Sequence, residues 1–183
     1  MATTNQPLAI VLDFSRDHFA LFGLPVAYAL DGARLDQAYR DLQAQIHPDK
    51  FVHAGAAEQR LSMQWATRVN EAYQILRRPF DRANYLLLLQ GIQAMNSSVM
   101  PMDFLEQHMD WSEELAQARS ARDVATLERL GRALRIEARA YQSRLAEEID
   151  QRHDYPRAAE TLRKLRFTDK LLAEVGAAYE EML

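Results

Sequence analysis

The chain has 183 residues, of which 48% are hydrophobic and none is cysteine, so it is long enough to bury one ordinary core or two small ones. The absence of cysteine excludes disulfides, thiolate nucleophiles and any iron–sulfur cluster held by the chain's own thiolates. Residues 1–99 carry nine acids and nine bases and residues 100–183 carry seventeen acids and thirteen bases, and this lack of a basic excess argues against a general nucleic-acid binder.

Only six glycines and six prolines interrupt a chain rich in alanine, leucine, glutamate, glutamine and arginine, residue types that lose little rotamer freedom in a helix. We therefore expect an all-α fold. No window approaches the ~18 apolar residues that a membrane span needs, and no charged start precedes an apolar run near the N-terminus. These features predict a cytoplasmic protein without a membrane partner, whose residues 1–15 form a loose N-terminal extension.

The first predicted elements are a short helix over residues 18–22 and a long one over residues 32–46. Gly23 and Pro25 end the short helix, and Asp31 is placed to cap the long one. Pro48 stops the long helix by biasing the residue before it away from helical geometry. The apolar stripe of this helix, spaced by three and four residues, consists of Leu35, Ala38, Tyr39, Leu42 and Ile46.

A second long helix is predicted over residues 57–77, ending before Pro79, and a shorter one over residues 80–90. The two long helices should pack antiparallel, with residues 47–55 as an exposed loop at their junction, where functional side chains are common. The stripe of the second long helix consists of Leu61, Trp65, Val69, Tyr73 and Leu76.

Residues 91–100 have no apolar period, and we expect a linker there. Pro101 suits the first turn of a new helix, and periodicity predicts helices over residues 101–119, 123–152 and 156–181. Three antiparallel helices with short connections make a bundle. The predicted inward residues of this second domain, 101–183, are Phe104, Trp111, Leu115 and Ala118, then Val124, Leu127, Leu130, Leu134, Tyr141, Leu145 and Ile149, and finally Leu162, Leu165, Leu172, Val175 and Tyr179.

The strongest motif is His47-Pro48-Asp49-Lys50, directly after the first long helix. Together with NEAYQILRRP at residues 70–79 and RANY at residues 82–85, it resembles the J-domain pattern in order and spacing. The resemblance implies that residues 16–90 form a J-domain, an antiparallel helical hairpin with short helices. The alternative is a proline-ended helix in which Asp49 merely caps the next turn.

Nearly the whole chain, from about residue 16 to 180, is similar to the HscB-type co-chaperones of iron–sulfur cluster assembly. The segments that carry this similarity are DHFALFGLP at residues 17–25, the long HPDKF loop, FLE at 104–106, EEL at 113–115 and LRKLRF at 162–167. The resemblance implies two partners, a DnaK-type ATPase chaperone (HscA) bound by the first domain and an iron–sulfur scaffold protein (IscU) bound by the second.

The chaperone-binding residues that follow from this resemblance are His47, Pro48, Asp49, Lys50 and Arg40. Arg40 and Lys50 would complement an acidic partner. Helices of this kind are often more basic in the family, whereas Asp36 and Asp41 share the helix of Arg40 here. The expected electrostatic contribution to docking is reduced accordingly.

A client-binding face is expected on the helix over residues 101–119, which carries two apolar rows. Successive residues of a helix are rotated by about 100° about its axis. If Phe104 and Leu115 face inward, Leu105 and Met109 therefore lie on a neighbouring shoulder of the helix. Glu106, Asp110, Glu113 and Gln117 share this shoulder, and Phe167 matches the family's client-facing aromatic. In the alternative, both rows are buried within the protein.

The basic run over residues 163–166 is interpreted as a solvated helix face.

No enzyme signature is present. The five histidines have no metal-ligand spacing, and no glycine-rich phosphate loop or nucleophile motif occurs. We therefore expect neither a catalytic site nor a metal or cofactor, with His108 as a helix-surface residue. Two other functions stay open at this point: a general protein-folding J-protein, and a helical interaction protein without ATPase coupling.

Overall fold

The computed structural model describes residues 16–97 and 99–182, which form seven α-helices and no β-strand. The all-α fold class is confirmed. The proposed extension over residues 1–15 lies outside the described residues. The helices are α1 (His18–Leu21), α2 (Gly32–Ile46), α3 (Ala56–Arg77), α4 (Pro79–Leu89), α5 (Met102–Ala121), α6 (Val124–Ala146) and α7 (Tyr155–Glu180).

The helix boundaries follow from local chemistry. The Asp17 carboxylate accepts the Ala20 N–H at 2.8 Å at the start of α1, and Gly23 after it has φ 63°, a left-handed conformation that glycine adopts without strain. Asp31 caps α2 by accepting the amides of residues 33 and 34. The predicted bounds of α2 agree with the structure, and those of α3 and α4 agree within one residue.

The chain divides into two compact units between Arg82 and Ala83, within α4. The boundary that we predicted at residues 91–100 stays a prediction. That interval contains a short 3₁₀ turn over Ala94–Asn96, whose first residue is buried.

In the first unit, α2 and α3 form the expected antiparallel hairpin. Tyr39 in the middle of α2 stacks on Tyr73 late in α3, with ring centroids 4.0 Å apart, whereas the last residue of α2 meets Ser62 near the start of α3. Both predicted stripes face this interface. Its fully buried apolar side chains include, with Phe19 of α1, Leu35, Ile46, Trp65, Val69 and Leu76.

The second unit is the predicted bundle of α5, α6 and α7, in which α6 and α7 make the most extensive contact. Its core includes Leu115, Ala118, Leu127, Leu130, Leu134, Leu171, Val175 and Ala178. The predicted inward position was wrong for Val124, which is exposed. It is the first residue of α6 and follows closely after Arg122, whose left-handed backbone ends α5. Trp111, Leu172 and Tyr179 are only half-buried.

The end of α6 also differs from the expected continuous helix over residues 123–152. A π turn over Glu147–Gln151 follows Ala146, and π turns widen a helix by one residue. Two adjacent side chains of this turn, Glu148 and Ile149, are both buried. None of the described helices combines the length and the hydrophobicity that a membrane span requires.

Candidate functional site

The loop between α2 and α3 presents the His47-Pro48-Asp49-Lys50 motif as a short 3₁₀ turn over Pro48–Phe51. His47 has ψ 128°, outside the helical region, as expected for the residue before a proline. Its carbonyl accepts the Lys50 N–H at 3.0 Å. Pro48 therefore ends α2 and starts a tight turn whose geometry sets the directions of the neighbouring side chains.

His47 and Asp49 face each other across this turn. The Asp49 backbone N–H donates to His47 Nδ1 at 3.3 Å, so this nitrogen accepts and the ring's other nitrogen, Nε2, carries the proton in the neutral form. His47 Nδ1 lies 3.5 Å from Asp49 Oδ2. The Asp49 side chain is 86% exposed, and the side chain that caps the turn is His47. The interpretation of Asp49 as a capping residue was wrong, and its carboxylate is open to a partner.

Two side chains of α3 hold this loop from opposite ends. Ser62, fully buried, donates from Oγ to the Ile46 carbonyl at 2.6 Å, immediately before the motif. Gln59 donates from Nε2 to the carbonyls of Val52 and Ala54, both at 3.1 Å. The sequence reasoning missed both residues, although a serine next to an apolar stripe is a detectable signal for a buried hydrogen bond.

The charges on α2 are arranged more favourably for docking than its composition suggested. Arg40 is exposed and donates to Gln37 at 2.7 Å. Asp36, by contrast, accepts the Tyr73 hydroxyl at 2.8 Å in a half-buried contact with α3, and burial together with this hydrogen bond raises the pKa of Tyr73. One of the two acids that counted against a basic surface is thus engaged with α3. Lys50 is exposed on the turn itself.

A second candidate site lies on α5 and α7. Its shallow cavity of about 230 Å³ is lined by Leu105, His108, Met109, Ser112, Glu113 and Phe167. Met109 is 62% exposed and Phe167 is 42% exposed, whereas Leu105 is half-buried. The alternative in which both apolar rows are buried was therefore wrong. We call these six residues the α5–α7 face.

An aromatic cluster supports this face from below. Phe104 is buried, and the Phe167 ring meets it edge-on with centroids 6.2 Å apart. His108 meets the Phe167 ring at 5.7 Å, and its Nε2 lies 3.1 Å from the Phe167 carbonyl. Because a carbonyl only accepts, Nε2 donates. His108 is thus a connection between α5 and α7, which its classification as a helix-surface residue missed.

The acids expected to share this shoulder follow one exposed row along α5. Of the predicted polar residues, Glu113 lines the cavity, whereas Glu106, Asp110 and Gln117 are exposed and do not line it. Their spacing of four, three and four residues keeps all of them on one side of the helix. The α5–α7 face therefore combines an apolar centre with an acidic border, an arrangement typical of protein interfaces.

No group of histidine and carboxylate side chains in the described part of the chain is arranged to hold a metal ion. The loop and the α5–α7 face present hydrogen-bonding groups, charges and apolar surface. Groups of these kinds are the ones that proteins use to recognise other proteins.

Comparison with known proteins agrees with this geometry. The family model described as the HSCB C-terminal oligomerisation domain matches residues 100–176. The co-chaperone protein HscB homolog of Azoarcus sp. (strain BH72) is 42% identical over 94% of this chain and 99% of its own length.

Two solved structures are also similar. Chaperone HscB from Vibrio cholerae, at 35% identity, covers 92% of this chain and 100% of its own, with a TM-score of 0.81. Human co-chaperone protein HscB, at 28% identity, covers 91% of this chain and 83% of its own, with a TM-score of 0.83. These relatives are named as chaperones and co-chaperones, which agrees with the expectation that the chain is not an enzyme.

Proposed function

Because the chain belongs to the HscB family of co-chaperones, we propose that its loop stimulates the ATPase of a DnaK-type chaperone of the HscA kind and that its α5–α7 face delivers an IscU-type iron–sulfur scaffold. The observation that carries the first half is the exposed Asp49 carboxylate on a turn fixed at both ends. This activity takes place in the cytoplasm.

The loop acts by binding one state of its partner better than another. A ligand shifts a two-state equilibrium only through its difference in affinity for the two states. The Asp49 carboxylate accepts hydrogen bonds, and the His47 ring offers a donor from Nε2. Since the turn is already ordered before binding, little of this interaction energy is used to order the loop.

Arg40 and Lys50 extend the same surface with positive charge. Exposed charges of this kind chiefly accelerate the encounter with an acidic partner, and their effect decreases with ionic strength. Replacing Arg40 should therefore slow association with the chaperone, whereas replacing Asp49 should remove the stimulation.

The α5–α7 face supplies the client half of the function. Met109 and Phe167 offer exposed apolar surface that a client would bury, with a gain of roughly 25 cal/mol per Å² removed from water. Glu106, Asp110 and Glu113 border this surface and favour basic groups on the client.

The first test is single-turnover ATP hydrolysis by the HscA-type chaperone, with this protein and an IscU-type scaffold added separately and together. We expect synergistic stimulation by the two proteins, and its loss in Asp49→Ala. Glu71→Ala, which removes an exposed acid elsewhere on the first unit, is the matched control and should behave as wild type. Normal stimulation by Asp49→Ala would contradict the role of the loop.

The second test measures scaffold binding by calorimetry. Leu105→Ala with Phe167→Ala should weaken it strongly, whereas Ile136→Ala should not, because Ile136 is 67% exposed on α6 and lies outside the α5–α7 face. Unchanged binding in the double variant would refute the client-binding site. Stimulation of the chaperone without scaffold synergy would instead favour a general protein-folding J-protein, and no stimulation would favour an interaction protein without ATPase coupling.

A further inference from the structure

A larger cleft, of about 530 Å³, adjoins the α5–α7 face and shares Phe167 with it. Its lining consists of Met95 and Ser97 from the segment before α5, and of Arg163, Arg166, Phe167 and Lys170 from α7. Three of the six lining residues are cations and none is an acid. We call this the cationic cleft.

The positive charge of the cleft is only slightly compensated within the described residues. Arg163 donates to the Ala94 carbonyl at 3.2 Å. Its buried Nε has no hydrogen-bond partner among the described residues. Arg166 makes no ion pair among these residues, and Lys170 lies 4.0 Å from Glu174 in an exposed contact, which contributes little. Cations that converge on a cleft without acids concentrate positive potential there.

We propose that the cationic cleft binds a carboxylate-bearing segment of the client, beside the surface that the α5–α7 face buries. This rests on the client-binding function proposed above. Because Phe167 lines both sites, a client that covers its ring also reaches the mouth of the cleft. Arginine forks match carboxylates in geometry and charge, and the volume is suited to several side chains. A single small ion would leave Met95 and Phe167 uncovered.

The two sites together determine the orientation of the client. The row of Glu106, Asp110 and Glu113 on α5 favours basic groups, whereas the cleft on α7 favours acidic ones. A client docked in the reverse direction would place like charges opposite each other at both sites, and such contacts disfavour wrong modes of binding. The cleft thus selects one direction of docking in addition to increasing affinity.

Charge reversal tests this inference. Scaffold binding to the full chain is measured by calorimetry for wild type, Arg166→Glu and Arg166→Lys, with Arg139→Glu as the matched control, because Arg139 is an exposed cation of α6 outside both sites. We expect Arg166→Glu to raise Kd about tenfold at low salt, with a smaller effect at high salt. Arg166→Lys keeps the charge but loses the fork, so it should raise Kd, but by less than Arg166→Glu does. Equal effects of Arg166→Glu and Arg139→Glu would overturn the proposal.

Zero-length coupling of amines to carboxylates identifies the occupant. The chain has three lysines, Lys50, Lys164 and Lys170. In a mixture of this protein, the scaffold and the ATPase chaperone, we expect Lys170 to couple to an aspartate or glutamate of the scaffold. Lys164, which is 18% exposed and paired with Glu160 at 2.7 Å, is the internal control: it can couple to Glu160 within the chain but should not couple to the scaffold. A Lys170 link to the chaperone, or to a second copy of this chain, would assign the cleft elsewhere and overturn the proposal.

These outcomes are separable from failure of the proposed function. If Leu105→Ala with Phe167→Ala leaves scaffold binding unchanged, the α5–α7 face is not the client site, and the inference about the cleft fails with it. If that double variant loses binding while Arg166→Glu behaves as Arg139→Glu does, the client face stands and only the cationic cleft is refuted.

Discussion

Replacing Ser62 with alanine tests how firmly the loop after α2 is anchored. Its Oγ donates to the Ile46 carbonyl at 2.6 Å, and both residues are fully buried. A neutral hydrogen bond contributes about 0.5–1.5 kcal/mol net, and a buried acceptor left without its donor costs about 1–3 kcal/mol. Because alanine leaves almost no cavity, we expect the first unit to lose about 2 kcal/mol of stability. For a unit of this size that corresponds to a decrease in Tm of about 8–16 °C.

The fluorescence of Trp65 measures this effect in the full chain. Trp65 is fully buried on α3, and the second tryptophan, Trp111, lies in the other unit. In a Trp111→Phe background, urea unfolding followed by fluorescence therefore reports the first unit alone.

Thr67→Ala is the control, because Thr67 donates to the Met63 carbonyl from an exposed position on the same helix. We expect it to change stability by less than about 0.5 kcal/mol. A loss in Ser62→Ala no larger than that in Thr67→Ala would refute the anchoring role. At a temperature where Ser62→Ala is folded, ATPase stimulation should fall, but less than in Asp49→Ala.

Three further predictions follow from the second unit. His108→Ala should weaken scaffold binding while His108→Gln retains most of it, because glutamine can still donate to the carbonyl of Phe167; equal losses in calorimetry would rule out that hydrogen bond. Burial raises the pKa of the Glu148 carboxyl, so the native state holds this proton at pH values where the unfolded chain has released it. The stability of the fold with a protonated Glu148 is therefore present at acid pH and is lost as the pH rises. Glu148→Gln should accordingly raise Tm more at pH 7 than at pH 4, and equal gains would contradict this. Gly131→Ala and Gly176→Ala should each stabilise the bundle by about 0.5–1 kcal/mol. An added Cβ at Gly131 meets a methyl carbon of Val175 and the guanidinium nitrogens of Arg135 at 3.5 Å, an ordinary van der Waals distance, and at Gly176 it meets nothing within 4 Å. Loss of stability in Gly131→Ala, measured by urea unfolding, would show that the α6–α7 contact does not tolerate the methyl group.

Much of the fold could be predicted from the spacing of apolar residues and from the positions of the residues that end helices. The spacing from Leu35 to Ile46 defined the buried side of α2, and Pro48 defined its end, because both effects act within a few residues. The π turn after Ala146 gave no such signal, since an inserted residue is accommodated by packing that only the folded bundle provides. Val124 continued the apolar pattern of α6 into a turn that stays exposed.

Some features of the candidate sites could likewise be predicted from local sequence, and others could not. Met109 could be placed on an exposed shoulder from helical geometry alone. The role of His108 depends on the Phe167 carbonyl, 59 residues away, and no local pattern reports such a contact. The solvated face expected for residues 163–166 was wrong for Lys164 and Arg163, which are partly buried. The cationic cleft exists because the segment at Met95 and Ser97 lies beside α7.

The placement of the lysines has a practical consequence for laboratory work. Lys50 is exposed on the loop, Lys170 lines the cationic cleft, and Lys164 is only 18% exposed and is paired with Glu160. Amine-reactive dyes, biotin esters and amine-coupled sensor surfaces will therefore modify both proposed contact surfaces, and a protein immobilised through these lysines would lose binding for reasons unrelated to any variant. Capture through a terminal tag leaves both surfaces unmodified.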